Sequence, residues 1–123
     1  MTFRTTPLMR NAILACTLLA AVPATAQVSP LSPDHQFKLR CAAAFARVAE
    51  GQAGGDPVAK AYPALAERGR EYFVRAGAEA IDAGLTREQL AQHLQAASRD
   101  LADPVALDAA MPPCLASLEA SGL

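Results

Sequence analysis

Three alanine-rich segments of this chain each open on a helix-capping residue followed at once by proline: Ser32-Pro33, Asp56-Pro57 and Asp103-Pro104. A Ser or Asp side chain satisfies backbone N–H groups that the first turn of a helix leaves free. Proline suits the next position, because its fixed φ is helical and its missing N–H is not needed there. Each pair therefore marks a helix start. The segments between them are filled with alanine, the strongest helix former, and lack the alternating β-branched runs of strands. The fold class implied is all-α, a small up-and-down bundle of four to five helices with short connections.

The first helix starts at Ser32 and carries Asp34 in its electropositive first turn. Phe37, Cys41, Ala44, Phe45 and Val48 recur at spacings of three and four, which puts them on one core face and Leu39 opposite it. Gly51 and the Gly54-Gly55 pair end this helix. The second runs from Asp56 to Gly84 along an apolar stripe of Val58, Tyr62, Leu65, Gly69, Tyr72, Phe73, Ala76 and Ala80. Pro63 falls inside it and should kink it or divide off a short first turn. Its outer face holds Glu67, Arg68, Glu71, Arg75, Glu79 and Asp82, with Glu71–Arg75 and Arg75–Glu79 at ion-pair spacing.

A third helix opens at Thr86, where Gln89 completes a capping box and Leu85 can staple onto Leu90. Leu90, Leu94, Ala97 and Leu101 give it one apolar face. The fourth starts at Asp103-Pro104. Met111-Pro112-Pro113 should interrupt it, since a residue before proline avoids helical angles. A short last helix from about Pro113 to Ala120 would turn Cys114, Leu115 and Leu118 inward.

Residues 1–26 have the three parts of a cleaved export signal. Arg4 and Arg10 precede an apolar run from Ala12 to Val22, then Pro23 and the small-x-small triplet Ala24-Thr25-Ala26. The run of 11 residues is too short for a membrane span, which takes about 20. Ile13-Leu14-Ala15-Cys16 loosely resembles a lipoprotein site, but Cys16 stands in the middle of the apolar run rather than at its end. Cleavage after Ala26 therefore leaves a mature chain with a loose lead, residues 27–31, and a single helical domain over 32–123. The destination is the periplasm or the medium.

Export bears on the cysteines. Cys16 departs with the signal, and Cys41 and Cys114 remain as an even pair in an oxidising compartment, which reads as a structural disulfide. Closing a loop of about 74 residues contributes roughly 4–5 kcal/mol under the chain-entropy model, comparable with the net stability of a domain this small.

The mature part keeps nine Lys/Arg (eleven less Arg4 and Arg10) against twelve Asp/Glu, without a long run of either sign. That lacks the basic footprint nucleic acid needs and offers nothing to an anionic membrane surface. GxSxG, P-loop, HExxH, CxxCH and EF-hand patterns are absent. His35 and His93 are far apart, neither with a second ligand at helical spacing, so no metal or cofactor is implied. No catalytic residue stands out.

Val74 and Ile81 fall to one side of the second helix's stripe. With Leu39 they form a candidate apolar contact patch for a protein partner or a second copy. The function this favours is non-enzymatic: an exported protein acting by contact, as an accessory, inhibitor or stress-related factor. In plan (exported, small, helical, one disulfide, Cys41 followed by Phe45) the chain loosely resembles the acid-stress periplasmic chaperones of enteric bacteria, and no functional residue is carried over. The rival reading is a small-ligand carrier or minor enzyme with a cavity near Tyr62, Tyr72 and Phe73.

Overall fold

The computed structural model describes residues 31–123; the expected export signal over 1–26, with Cys16, the expected cleavage after Ala26 and residues 27–30 of the expected lead lie outside the described residues. The described residues form five helices and no strand: α1 (Pro33–Ala53), α2 (Pro57–Lys60), α3 (Arg68–Asp82), α4 (Arg87–Asp100) and α5 (Pro104–Ala120).

Four of the five helix starts follow the local chemistry; α3, at Glu67, has no side-chain cap. Ser32 Oγ accepts from the His35 N–H at 3.2 Å, Asp56 from Val58 at 3.0 Å and Asp103 from Val105 at 3.1 Å. The Thr86–Gln89 capping box is complete in both directions, at 3.1 and 2.9 Å. Gly55 and Gly84 take φ of +82° and +107° just past helix ends, where an L side chain would be strained.

α1 is the hub, since each of the other four helices packs against it. Five successive residues, Cys41 to Phe45, are buried, so at mid-length α1 has no solvent face. Its contact with α3 is close. Phe45 and Tyr72 meet edge to face with ring centroids 5.1 Å apart, and a Cβ on Gly69 would stand only 3.1 Å from that of Phe45. The Cys41 and Cys114 sulfurs lie 2.07 Å apart, a disulfide distance that ties α1 to α5.

Four expectations are corrected. Leu39 is not opposite the core but 2% exposed, while Phe37 is 37% exposed. One-sided periodicity fails here because α4 covers the side of α1 that holds Leu39. Leu31 is not part of a loose lead: it is buried, and its carbonyl accepts from Gln36 Nε2 at 2.7 Å.

The Met111-Pro112-Pro113 break does not occur, and α5 runs through it. Both prolines are exposed, and the carbonyls deprived of donors belong to exposed Asp108 and Ala109, where water can replace the lost bonds. Buried Met111 and Cys114 anchor the inward side. The ion pairs expected along α3 also do not form. Glu79 pairs instead with Lys38 of α1 at 2.8 Å, Arg75 donates to the Ser121 carbonyl at 3.3 Å, and Arg68 pairs with Glu119 of α5 at 2.8 Å. These side chains reach neighbouring helices rather than along their own.

Pro63 divides its helix rather than kinking it. The chain between α2 and α3 is held by one side chain, Gln52. Its Nε2 donates to the carbonyls of Ala59, Tyr62 and Pro63 at 3.0, 3.3 and 2.9 Å, and its Oε1 accepts from the Leu65 N–H at 3.1 Å. Leu65 is thereby delivered fully buried into the core. Among the described residues no helix is long and apolar enough to cross a membrane.

Candidate functional site

Two surfaces near α1 could engage another molecule, one apolar and one charged. The apolar surface arises because α4 and α5 flank α1 without extensive contact of their own. The strip of α1 between them holds Phe37. On the α4 side its ring borders a hollow of about 450 Å³ with Pro33, Leu39, His93 and Ala97. On the α5 side it borders a second, of about 330 Å³, with Ala106, Ala109, Ala110 and Pro113. The α5 flank is mostly alanine, whereas the α4 flank mixes Ala97 with the polar Gln36 and His93. Arg40 lines both hollows and is fixed by an ion pair to Asp100 of α4.

Periodicity alone places Phe37 in the core. The usable signal is the contrast between the unbroken apolar run Cys41 to Phe45 and the largely polar first two turns, which shows where the wrapping of α1 thins.

The sequence-derived patch is only partly assembled. Val74 is 64% and Ile81 37% exposed, and exposed Ala78 lies between them, so α3 carries a narrow outward apolar stripe bordered by Arg70, Glu71 and Arg75. Leu39 is buried and takes no part in it.

Tyr62, Tyr72 and Phe73 do not line a common cavity. The Tyr62 hydroxyl donates to Asp108 on α5, and Phe73 borders a shallow hollow with α1 and α4. Tyr72 alone reaches a larger space, a surface cleft of about 430 Å³ between α1, α3 and α5. Its hydroxyl is 2.7 Å from Ser117 Oγ. Above this pair Lys38 Nζ lies 2.8 Å from Glu79 Oε2 and 3.1 Å from Asp34 Oδ2. Arg75, Ser121 and the small side chains of Ala76 and Ala120 complete the wall.

The electrostatics follow from these contacts. The hydrogen bond to Glu79, then that to Asp34, raises the Lys38 pKa above its ordinary 10.5. Burial raises that of Tyr72, against an opposing effect of its bond to Ser117. The bond to Asp108 raises that of Tyr62.

His35 Nδ1 is 2.8 Å from Ser32 Oγ, which places it at the helix cap, while His93 lies on the trough wall. Among the described residues no three His, Cys, Asp or Glu side chains gather as a metal site. Compared with family models, curated proteins and solved structures, the chain matches none.

Proposed function

We propose that the chain is an exported, periplasmic, non-enzymatic protein that binds another protein through the trough around Phe37, as an accessory, inhibitor or stress-related factor. Phe37 carries the reading. A phenylalanine more than one-third exposed, flanked by an alanine-lined hollow on the α5 side and a mixed one of Pro33, Gln36, Leu39, His93 and Ala97 on the α4 side, has the character of an interface centre, where aromatic side chains are enriched. A scattered exposed apolar residue needs no partner; a bordered apolar trough is a different object. Export is supported by the signal pattern over 1–26 and by a cysteine pair at disulfide distance, since such bonds persist in oxidising compartments.

A photo-crosslinking amino acid at position 37, with exposed Ala91 of α4 as control, tests the reading in living cells. The expected result is one discrete adduct from position 37 and none from 91, lost when Phe37→Glu is introduced beside a second probe at Pro33. Sedimentation of the purified protein separates a second copy from a different partner. Equal adducts from both positions, or none from either, would remove the proposal. N-terminal sequencing of the protein recovered from whole cells should read from Gln27; a start at Met1 would remove the export half.

A ligand-binding reading is favoured by one separate observation, the charged cleft at Tyr72.

A further inference from the structure

We propose that the cleft between α1, α3 and α5 binds a small zwitterion of the free amino-acid class. In this arrangement Arg75 takes the carboxylate, and Asp34 and Glu79 take the ammonium. The proposal does not depend on the protein-contact reading, which concerns a different surface.

Charge is the first ground. Asp34 and Glu79 both contact the single ammonium of Lys38, so this cluster carries a net charge of −1. Only one oxygen of each carboxylate meets Lys38, and a carboxylate can accept about four hydrogen bonds. Acceptors therefore remain for a second ammonium. Arg75 supplies the opposite charge. Among the described residues its one hydrogen bond is that to the Ser121 carbonyl, at 3.3 Å, which leaves most of its five donors and its carboxylate-matching fork available.

Arg75 and Glu79 stand one turn apart on α3, where Cβ atoms are about 5–6 Å from each other. A single small molecule can span that distance. A simple anion would meet Arg75 but be repelled by the Asp34–Lys38–Glu79 cluster, and a simple cation would meet the reverse. A molecule bearing both charges satisfies both ends.

Space and hydrogen bonding agree with this. The cleft, about 430 Å³, lies within the usual range for small-molecule sites. Tyr72 and Ser117 share one hydrogen bond between two hydroxyls, so one O–H proton is left over by the pair and free to donate within the cleft. Ala76 and Ala120 leave room for the ligand's side chain.

The test is ¹H–¹⁵N NMR of the mature protein, titrated separately with the twenty free L-amino acids, with acetate and with methylammonium. At least one amino acid should shift the amides of residues 75–79 and 117–121 saturably, with a Kd of about 1 mM or tighter. Acetate and methylammonium should bind at least about tenfold more weakly, one charge contact being lost in each. Arg75→Gln should weaken binding by about tenfold or more, whereas Phe37→Glu should leave it unchanged. Arg75 is exposed, so its variant should retain the wild-type melting curve; Glu79→Gln gives a second arm at the ammonium end. Absence of saturable shifts, acetate binding as tightly as the best amino acid, or unchanged binding by folded Arg75→Gln would each overturn the proposal.

Discussion

Phe37 and Phe45 are eight residues apart on the same helix, yet one ring is 37% exposed and the other fully buried. Around Phe45 the hub helix is enclosed, with Tyr72 set edge-on and Gly69 drawing α3 close. Around Phe37 two helices pass on either side and leave a strip of α1 between them. The same residue type is thus core in one place and surface in the other. The cause is the arrangement of neighbouring helices, since both phenylalanines belong to the one broad stripe of three- and four-residue spacing. Enclosure supplies stability, and the gap leaves an apolar side chain free to meet something else.

Truncating the two rings tests this most directly. Phe45→Ala should cost about 3–5 kcal/mol, the usual loss for a buried phenylalanine. Phe37→Ala should cost under about 1 kcal/mol, as a partly exposed position does. Chemical denaturation of the purified variants measures both. Similar losses at the two positions would mean that Phe37 is as much a part of the core as Phe45.

Cys41 lies one turn from each phenylalanine and fastens α5 beside them. Replacing Cys41 and Cys114 together by alanine should lower stability by about 4 kcal/mol, the entropy of a long closed loop restored to the unfolded chain. Intact mass after alkylation without reductant should show neither cysteine modified. Two modified cysteines would show that the enclosed end of α1 is held by packing alone.

These comparisons also mark what the sequence could disclose. Helix starts were legible because Ser32-Pro33, Asp56-Pro57, Thr86 and Asp103-Pro104 act within a few residues of themselves. The facing cysteines were legible because Cys41 lies on a periodic apolar face. The positions of Leu39 and Phe37 were not, because a one-faced pattern cannot describe a helix contacted from several sides. Pro112 and Pro113 read as a break because their exposure, which removes most of the penalty, is a tertiary fact. The bracing role of Gln52 and the cleft at Tyr72 depend on residues brought together from distant segments, as in the Tyr72–Ser117 pair.

Two glycines sharpen the distinction between enclosed and open ground at smaller cost. A Cβ on Gly51 would lie 2.8 Å from that of Ala59, so α1 and α2 would have to separate. Gly51→Ala should therefore destabilise by about 1–3 kcal/mol. A Cβ on Gly77, in the middle of α3, would meet Leu90 Cδ2 at an ordinary 3.5 Å. Gly77→Ala should then stabilise by about 0.5–1 kcal/mol, because the unfolded chain loses freedom while the folded one loses nothing. Thermal melts of the two variants should shift in opposite directions; a common direction would contradict the close approach at Gly51 or the free space at Gly77.

The smallest effect lies at alkaline pH. Lys38, Tyr62 and Tyr72 all have raised pKa values in the folded chain, through bonds to Glu79 and Asp34, a bond to Asp108, and burial respectively. Each is therefore more readily kept protonated when folded than when unfolded. Its contribution is fully present below the ordinary value, 10.5 for lysine and 10.0 for tyrosine, and is lost as pH rises through the higher folded value. Melting temperature should be level between about pH 8 and pH 9.5 and fall above about pH 10. Because Lys38 and Tyr62 are solvent-accessible, their pairs should each contribute only tenths of a kcal/mol. Tyr72, enclosed against Phe45, should contribute the largest share, so Tyr72→Phe should flatten the alkaline slope more than Tyr62→Phe. An equal effect of the two variants would place both hydroxyls in equally wet surroundings, contrary to the burial of Tyr72.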